Sequence, residues 1–395
     1  MELWYDGTLA SGCTPTPTGL TDPYSIGRRT AVCDASHATS WRHDQLGRVL
    51  QERRTTDAVG GDYETDAYNL DGSSQGVTTL DYGISYVYSG AVTPLTAANG
   101  NTKLVTAATY ASPGELSGAT LGLATGFAGF TVNNSYNDRL QPILLSASSP
   151  SATVFSESFE FHLGAGDSGN VYQIVNNRDN TRTQSFAYDA LNRISSAQSS
   201  GMQWGETFTI DAWGNLTNRD GISGKTNYEP LNCPANTNNQ LTTCSYGYDA
   251  AGKMTSNGSA SYVYDAQNRL IATAGYSYIY DGSDPLSETD LAGNVQNTYV
   301  FFNGQRVARG DSALAIHYYF SDHLGTHGVV ENATGATCEQ DVDYYPYGGV
   351  ENDYCPNAAQ NYKFTGKERG SVSQNRNLYI YGSNNPQPLN SLGVR

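Results

Sequence analysis

Three copies of the motif Tyr-x-Tyr-Asp recur every 16 residues and end at Asp249, Asp265 and Asp281. The two tyrosines of each copy alternate with a third residue, which is the period-two pattern of a β-strand. The Asp begins a turn in which its carboxylate accepts hydrogen bonds from amides two or three residues on, and a Gly or Asn follows that tolerates positive φ. The repeat therefore predicts β-hairpins in series, an all-β fold with a long, curved or spiralling antiparallel sheet.

The copies of the repeat differ in regularity along the chain. They are degenerate over residues 1–165 and regular over residues 166–299. The signature of the regular copies consists of strand tyrosines, turn aspartates and the residues that close each turn. These residues are Tyr188, Asp189, Asp211, Gly214, Tyr246, Tyr248, Asp249, Gly252, Tyr262, Tyr264, Asp265, Arg269, Tyr278, Tyr280 and Asp281.

The chain of 395 residues has a formal net charge of −16 and no run of basic residues. Binding to nucleic acid irrespective of its sequence requires clustered Lys and Arg, so nucleic acid is not an expected partner. No apolar run approaches the roughly 18 residues of a membrane-spanning helix. Residues 1–10 also lack the charged start and apolar centre of a signal peptide.

The cysteines form three local pairs, which we interpret as candidate disulfides typical of an oxidising compartment. The pairs are Cys13 with Cys33, Cys233 with Cys244, and Cys338 with Cys355. Unpaired thiols in a cytosolic protein remain the alternative, because spacing does not determine connectivity. Cysteines typical of export without an export signal lead us to expect that the N-terminus of the full polypeptide lies elsewhere.

Other ionisable residues invite a metal or catalytic interpretation. The turn aspartates lack the dense spacing of a calcium loop, which favours turn capping. Asp341 and Asp343 share one face of a predicted strand, a spacing that ordinary solvated strands also show. His317, His323 and His327 have no zinc-binding helix motif beside them, which favours hydrogen bonding in the core. We therefore predict no metal, no cofactor and no catalytic residue.

A different set of motifs occupies residues 300–369: Tyr319-Phe-Ser-Asp-His-Leu-Gly325, Tyr344-Tyr-Pro-Tyr-Gly348 and Phe364-Thr-Gly-Lys-Glu-Arg369. With these motifs and the Tyr-Asp repeats, the chain resembles the Rhs or YD-repeat family, bacterial relatives of the teneurin shells. Residues 300–369 resemble its Rhs-associated core region. The core signature comprises Asp322, His323, Leu324, Gly325, Tyr345, Pro346, Gly348, Gly366, Lys367, Glu368 and Arg369.

The resemblance implies a sheet of hairpins that spirals into a hollow shell, with the core region closing one end. In toxin systems of this family the shell encloses a variable C-terminal toxin, which the core releases by aspartyl autoproteolysis at an Asp-Pro-x-Gly-Leu motif. The divergent tail, residues 370–395, has Asn390-Ser391-Leu392-Gly393-Val394 in that place, and Asn has no titratable carboxylate. We therefore expect neither autoproteolysis nor a toxin in this chain, which we interpret as a truncated piece of a shell.

The predicted function is that of a non-enzymatic, encapsulating shell segment of an Rhs-type protein, secreted or at the cell surface. The expected partner is a larger Rhs polypeptide or a toxin cargo. A glycan-binding or adhesion module is the alternative, because exposed tyrosine rows beside Asn, Ser and Thr can bind sugars. Tyrosines that stabilise the sheet across strands explain the same pattern and are favoured. A self-cleaving core is the weaker alternative.

Overall fold

The computed structural model describes residues 2–7, 21–33, 37–56, 60–79, 82–89, 93–112, 114–162, 166–241, 246–256, 261–264, 270–273, 276–281, 284–290, 292, 294–325, 327–335, 337–357, 368–369, 378–381 and 384–388. Over these ranges the fold is all-β, with one short 3-10 helix at Asn180–Arg182 and no α-helix. The predicted fold class, all-β with serial hairpins, is confirmed. None of the described ranges contains a helix that is long and apolar enough to cross a membrane.

The strands follow one another with short connections. In chain order they are β1 Glu2–Tyr5, β2 Arg29–Cys33, β3 His37–His43, β4 Val49–Thr56, β5 Gly60–Tyr68, β6 Ser74–Thr79, β7 Tyr82–Tyr88, β8 Pro94–Asn99, β9 Thr102–Tyr110, β10 Leu116–Leu121, β11 Phe130–Tyr136, β12 Pro142–Ser148, β13 Thr153–Glu160, β14 Gln173–Asn176, β15 Gln184–Tyr188, β16 Ile194–Ser199, β17 Gly205–Ile210, β18 Leu216–Gly221, β19 Leu231–Asn232, β20 Gly247–Tyr248, β21 Met254–Ser256, β22 Tyr262–Tyr264, β23 Leu270–Thr273, β24 Tyr276–Asp281, β25 Asp284–Asp290, β26 Val295–Phe302, β27 Gln305–Asp311, β28 Ile316–Ser321, β29 His327–Asn332, β30 Cys338–Tyr344, β31 Val350–Asp353, β32 Glu368–Arg369, β33 Leu378–Tyr381 and β34 Asn384–Pro388.

The chain divides into two compact units. The first contains Met1–Thr106 and Val263–Ile316, and the second contains Ala107–Tyr262 and His317–Arg395. Within the first unit, consecutive strands from β1 to β8 pair antiparallel, as do those from β23 to β27. Within the second unit, the same holds for β10 to β19 and for β28 to β31. We call β10 to β19 the repeat array of the second unit.

A side-chain carboxylate closes the described turns that carry the Asp of the repeat. Asp189 Oδ1 accepts hydrogen bonds from the amides of Leu191 and Arg193, both at 2.9 Å, two and four residues on. Asn192 adopts a φ of 59°, and the strand register shifts beside Tyr188. This is the geometry of a type I turn followed by a left-handed residue and a bulge. The turns at Asp44, Asp211, Asp249, Asp290 and Asp311 have the same carboxylate bonds.

An arginine that follows the turn joins neighbouring turns. Arg193 Nε donates back to Asp189 Oδ2 at 2.7 Å, and its Nη1 donates forward to the backbone oxygen of Asp211 in the next turn at 2.9 Å. Arg48 in the first unit makes the same backward bond to Asp44 and donates forward to the backbone of the following turn. Consecutive hairpins are therefore linked along the edge of the sheet that carries these turns.

At two described positions a strand tyrosine binds its hairpin to the one before it. Tyr188 Oη donates to the backbone oxygen of Val171 at 2.6 Å, and Tyr68 Oη donates to that of Val49 at 2.9 Å. The guanidinium of Arg48 lies over the ring of Tyr68, with Cζ 4.7 Å from the ring centroid. Burial and the neighbouring Tyr172 raise the pKa of Tyr188 to about 12, so the donating proton stays in place at neutral pH. The hydroxyl explains why these positions use Tyr in place of Phe.

Replacement of Asp189 by Ala tests the role of the turn carboxylate. The substitution removes two amide hydrogen bonds and the bond from Arg193, and we expect it to lower the free energy of unfolding by about 1–3 kcal/mol. The matched control is Asp138→Ala, an exposed carboxylate in the turn that Asn137 closes. The control should stay within about 0.5 kcal/mol of wild type. Urea unfolding of both variants makes the comparison, and equal effects would contradict the capping role.

Candidate functional site

In the second unit, two tyrosines of the Tyr344–Gly348 motif pack on the repeat array. The ring of Tyr345 lies 5.3 Å from that of Trp204, and the ring of Tyr347 lies 4.9 Å from that of Phe208, both edge to face. All four side chains are buried and share one hydrophobic cluster with Val342 and Tyr344. The turn after β30 thus supplies large aromatic side chains to the face of the array, where edge-to-face rings add to the hydrophobic gain.

A second aromatic contact joins β11 of the array to β28. Phe130 lies 5.6 Å from Tyr318 and 5.1 Å from Phe320, measured between ring centroids. Gly122 allows the close approach, since a Cβ at this position would lie 2.8 Å from Cε2 of Tyr318 and its φ is +71°. The two layers of the unit are therefore in contact at both ends of the β28–β31 segment.

A buried ionic cluster lies between these aromatic contacts. Arg182, in the 3-10 helix, donates from Nη1 and Nη2 to Asp341 at 3.2 and 2.7 Å, and from Nε and Nη2 to Asp343 at 2.9 and 2.7 Å. Arg178 makes a second bidentate contact with Asp341, at 2.9 and 3.0 Å. The ring of Tyr354 covers the Arg182 guanidinium at 4.0 Å. The interpretation of Asp341 and Asp343 as ordinary solvated strand residues is wrong, because both are buried against arginines from the array.

The charges of this cluster compensate one another. Burial alone would raise the pKa of Asp341, but hydrogen bonds from Arg182 and Arg178 outweigh burial and lower it. Burial of Asp343 is stronger and raises its pKa, although Arg182 opposes that shift. Arg182 keeps its proton because its bonds to the two carboxylates raise its pKa against the effect of burial. Two cations thus face two acidic side chains in a low-dielectric setting, where each partner is needed.

Glu157 is a further acidic side chain on the inner face of the array, and it has no arginine bond. Its Oε2 is buried without a hydrogen-bond partner. Burial, with repulsion from Asp322 and Asp343, raises the pKa of Glu157 to about 8, so the side chain is neutral at pH 7. Two residues along the strand, Phe159 packs edge to face on His323 at 4.8 Å.

His323 of the core signature occupies the core of the unit. Its Nδ1 is buried without a hydrogen-bond partner, and burial lowers the pKa of the ring. His317 lies apart from it and pairs with Glu339, with Nδ1 and Oε2 2.5 Å apart. The side chain of His327 lies outside the described residues. In the described ranges no group of three or more His, Cys, Asp or Glu side chains is arranged to hold a metal.

Solved structures show a similar fold. The crystal structure of TcdB2-TccC3 matches with a TM-score of 0.63 and 15% identity over 91% of this chain and 23% of that chain. The Photorhabdus luminescens Tc holotoxin pore, with a TccC3 variant, matches with a TM-score of 0.67 and 15% identity over 94% and 24%. A TcdB2-TccC3 structure without the hypervariable C-terminal region matches at 0.63, with 16% identity over 91% and 22%. The chain spans about a quarter of the length of these chains.

The family comparison gives the same assignment. Residues 119–309 match the family model described as Teneurin YD-shell. This match covers just under half of the chain, which is similar to the YD-shell family over these residues. Among curated proteins, none is similar enough to count as a match.

The structure places the repeat signature in strands and turns. Tyr188 and Tyr248 end strands, and Tyr248 Oη accepts a hydrogen bond from the amide of Leu241. Asp189, Asp211 and Asp249 close turns in which Gly214 and Gly252 have positive φ. Tyr246 is half-buried and Tyr262 is buried. The side chains of Tyr264, Tyr278, Tyr280 and Asp281 lie outside the described residues, as do Asp265 and Arg269 entirely.

The core signature divides into a described and an undescribed part. Asp322 Oδ1 accepts from the amide of Leu324 at 2.8 Å in a turn that ends at Gly325, and Leu324 packs against the Trp204 cluster. Tyr345, Pro346 and Gly348 form the turn after β30, where Gly348 has a φ of 92°. Gly366 and Lys367 lie outside the described residues, as do the side chains of Glu368 and Arg369 and the tail segment 390–394.

The cysteines are paired wherever the structure describes them. Cys338 and Cys355 form a disulfide with an S–S distance of 2.01 Å. Cys33 and Cys233 are also disulfide-bonded, and the partners predicted for them, Cys13 and Cys244, lie outside the described residues.

Sequence reasoning missed the array side of this contact. Arg178 and Arg182 are spaced four residues apart in a chain with only 22 basic residues, and this local pair of cations was the available signal. Glu157 and Phe208 stand in strands of ordinary alternation, and Trp204 directly precedes one. Nothing in their local sequence marks these residues as contacts.

Replacement of Arg182 by Met tests the ionic cluster. The variant leaves Asp341 and Asp343 buried with too few cations, and we expect a loss of about 3–5 kcal/mol in the free energy of unfolding. The control is Lys103→Met, because Lys103 is an exposed cation. That change should cost less than about 1 kcal/mol. Adding Asp341→Asn and Asp343→Asn to Arg182→Met should recover part of the loss, and no recovery would contradict the charge-balance explanation.

Replacement of Glu157 by Gln tests the titration of the buried carboxyl. Because the folded-state pKa of about 8 exceeds the ordinary 4.5, the folded protein holds a proton here that the unfolded chain releases. The contribution of this proton to the free energy of unfolding is complete below about pH 4.5 and is lost as pH rises through about 8. The amide of Gln cannot ionise. Between about pH 5 and about pH 9 the free energy of unfolding should therefore fall by at least about 1 kcal/mol less in Glu157→Gln than in wild type.

Urea unfolding at several pH values measures this difference. Burial raises the pKa of Glu206 and Glu331 to about 7, so part of the wild-type slope should remain in the variant. Glu115→Gln, which changes an exposed carboxylate, should follow the wild-type profile. Parallel profiles for wild type and Glu157→Gln would refute the assignment.

Proposed function

We propose that this chain is a segment of a closed YD-shell that encloses a cargo polypeptide and acts by physical exclusion. The observation that supports it most is the buried contact in the second unit, where Arg182 of the array binds Asp341 and Asp343 beneath the core signature. Such a contact fixes the core region on one face of the repeat sheet. It gives the core region a structural role and keeps Asp341 and Asp343 bound to arginines.

Similarity to the YD-shell family supports the same function. The similar solved structures are assemblies of TcdB2 with TccC3 and a Tc holotoxin pore, and one of them is described as lacking a hypervariable C-terminal region. By analogy, we propose that the partner of this chain is the remainder of a longer Rhs polypeptide with its toxin cargo. We propose further that the protein acts outside the cytoplasm, at the cell surface or as a secreted protein. The Cys338–Cys355 disulfide is consistent with an oxidising location.

A non-enzymatic mechanism is part of the proposal. Asp341 and Asp343, the carboxylates of the core region that lie side by side, are both bound by arginine, which leaves neither free to exchange protons with a substrate. We also keep as a proposal the four sequence segments 1–165, 166–299, 300–369 and 370–395. These segments are defined by how regular the motifs are, and their boundaries differ from those of the two compact units.

The glycan-binding alternative gains no support from the described tyrosines of the repeat. Sugar binding requires exposed aromatic faces with free polar neighbours. Instead, Tyr68 and Tyr188 donate to backbone oxygens of the preceding hairpin, and Tyr262 is buried.

Protease protection of the native polypeptide tests the encapsulation proposal. An antibody raised against residues 173–221 isolates the polypeptide from producing cells, and mass spectrometry identifies every segment that it contains. We expect a polypeptide much longer than 395 residues, with an internal segment that resists protease until urea opens the shell. The control is the same segment after denaturation, which should be digested at once. A native polypeptide in which no segment gains protection from the fold would refute encapsulation.

A further inference from the structure

The Cys338–Cys355 disulfide crosslinks the hairpin that carries the core side of the ionic cluster. It joins the start of β30 to the residues that follow β31, across 17 positions of sequence. The hairpin contains Asp341, Asp343 and the aromatic turn with Tyr345. Both cysteines are half-buried, so part of each residue is open to solvent.

The crosslinked strand has few other restraints. In the described chain β31 is the last strand of its sheet, and it pairs with β30 through three residue pairs, from Val342 with Asp353 to Tyr344 with Val350. Backbone hydrogen bonds from Tyr354 to Asp341 and from Asn357 to Glu339 extend the pairing. A two-stranded pairing of this length is only marginally stable in water by itself.

The residues next to Cys355 cover the ionic cluster. The ring of Tyr354 lies 4.0 Å from the Arg182 guanidinium. Asp353 Oδ1 accepts hydrogen bonds from the amides of Asp341 at 3.2 Å and Cys355 at 3.1 Å. The disulfide therefore holds in place the segment that separates Arg182 and its carboxylates from water.

We propose that this disulfide is a redox-sensitive clamp on the contact between the repeat array and the core hairpin. A thiol of the glutathione class attacks one sulfur as a thiolate, forms a mixed disulfide and releases the other cysteine as a thiolate, which takes a proton. A second thiol displaces the first cysteine, so that two small thiols are oxidised to a disulfide while Cys338 and Cys355 become free thiols. Residues 350–357 then open and admit water to the ionic cluster.

Loss of the crosslink strongly increases the equilibrium constant for opening of residues 350–357. By loop-closure entropy, a crosslink across a loop of about 15 residues shifts an opening equilibrium by roughly 100-fold. Once the cluster is hydrated, its ion pairs contribute as little as surface pairs do. If the chain is a shell segment, as proposed above, the contact would be firm in oxidising surroundings and would loosen in a reducing cytosol.

Hydrogen exchange of the intact chain tests the clamp. The double variant Cys338→Ser/Cys355→Ser is preferable to a reductant, because a reductant would also act on the disulfides of Cys33 and Cys233. We expect amides of residues 341–344 and 350–357 to exchange at least about 10-fold faster in the variant. Amides of the paired residues 131–135 and 144–148 serve as the internal control and should be unchanged. Unchanged exchange in the hairpin, or equal acceleration in the control strands, would overturn the proposal.

Thiol trapping under native conditions tests whether the clamp responds to its environment. The wild-type chain is held in glutathione buffers of increasing reducing strength, alkylated and mapped by mass spectrometry. We expect Cys338 and Cys355 to become alkylated at cytosolic glutathione ratios, while hydrogen exchange of the control strands in the same buffers stays unchanged. A bond that stays oxidised under those conditions would refute the switch. Both measurements are independent of any cargo, so failure of the encapsulation proposal leaves their outcome unaffected.

Discussion

Arg182 binds two buried carboxylates at once, and the packing of the second unit depends on this arrangement. Asp341 and Asp343 stand on the same face of β30, so without a cation their charges would repel each other in a low-dielectric setting. The 3-10 helix between β14 and β15 places the guanidinium at that face, and Asp179 caps this helix through the amide of Thr181. The aromatic pairs at Tyr345 and Tyr347 then pack beside a neutralised strand.

The repeat motif combines three different bonds in a small number of residues. The Asp closes its own turn, the Arg after the turn binds the backbone of the next turn, and the Tyr binds the backbone of the preceding hairpin. Each bond alone contributes on the order of 1 kcal/mol. Together they hold a sheet with many short strands in one register, which alternation of side chains alone specifies only weakly.

The fold class could be predicted from sequence because the governing signals are local. Alternation in Tyr-x-Tyr and the turn chemistry of Asp with Gly or Asn act within one hairpin, so their spacing already indicates serial hairpins. The contact at Arg182 could not be predicted in this way. Its partners are about 160 residues apart in the sequence. In addition, two aspartates spaced two positions apart form the same sequence pattern whether their strand faces water or a guanidinium.

The bonds between hairpins also bear on how such arrays change in length. Arg193 and Tyr188 both end on backbone oxygens, which every residue supplies, so a neighbouring hairpin needs no particular side chain at the point of contact. A hairpin copied by gene duplication would meet acceptors on both sides as soon as it entered the sheet. Arrays of this kind are thus able to gain or lose whole hairpins without evolving a new interface each time, while side chains elsewhere in the repeat remain free to diverge.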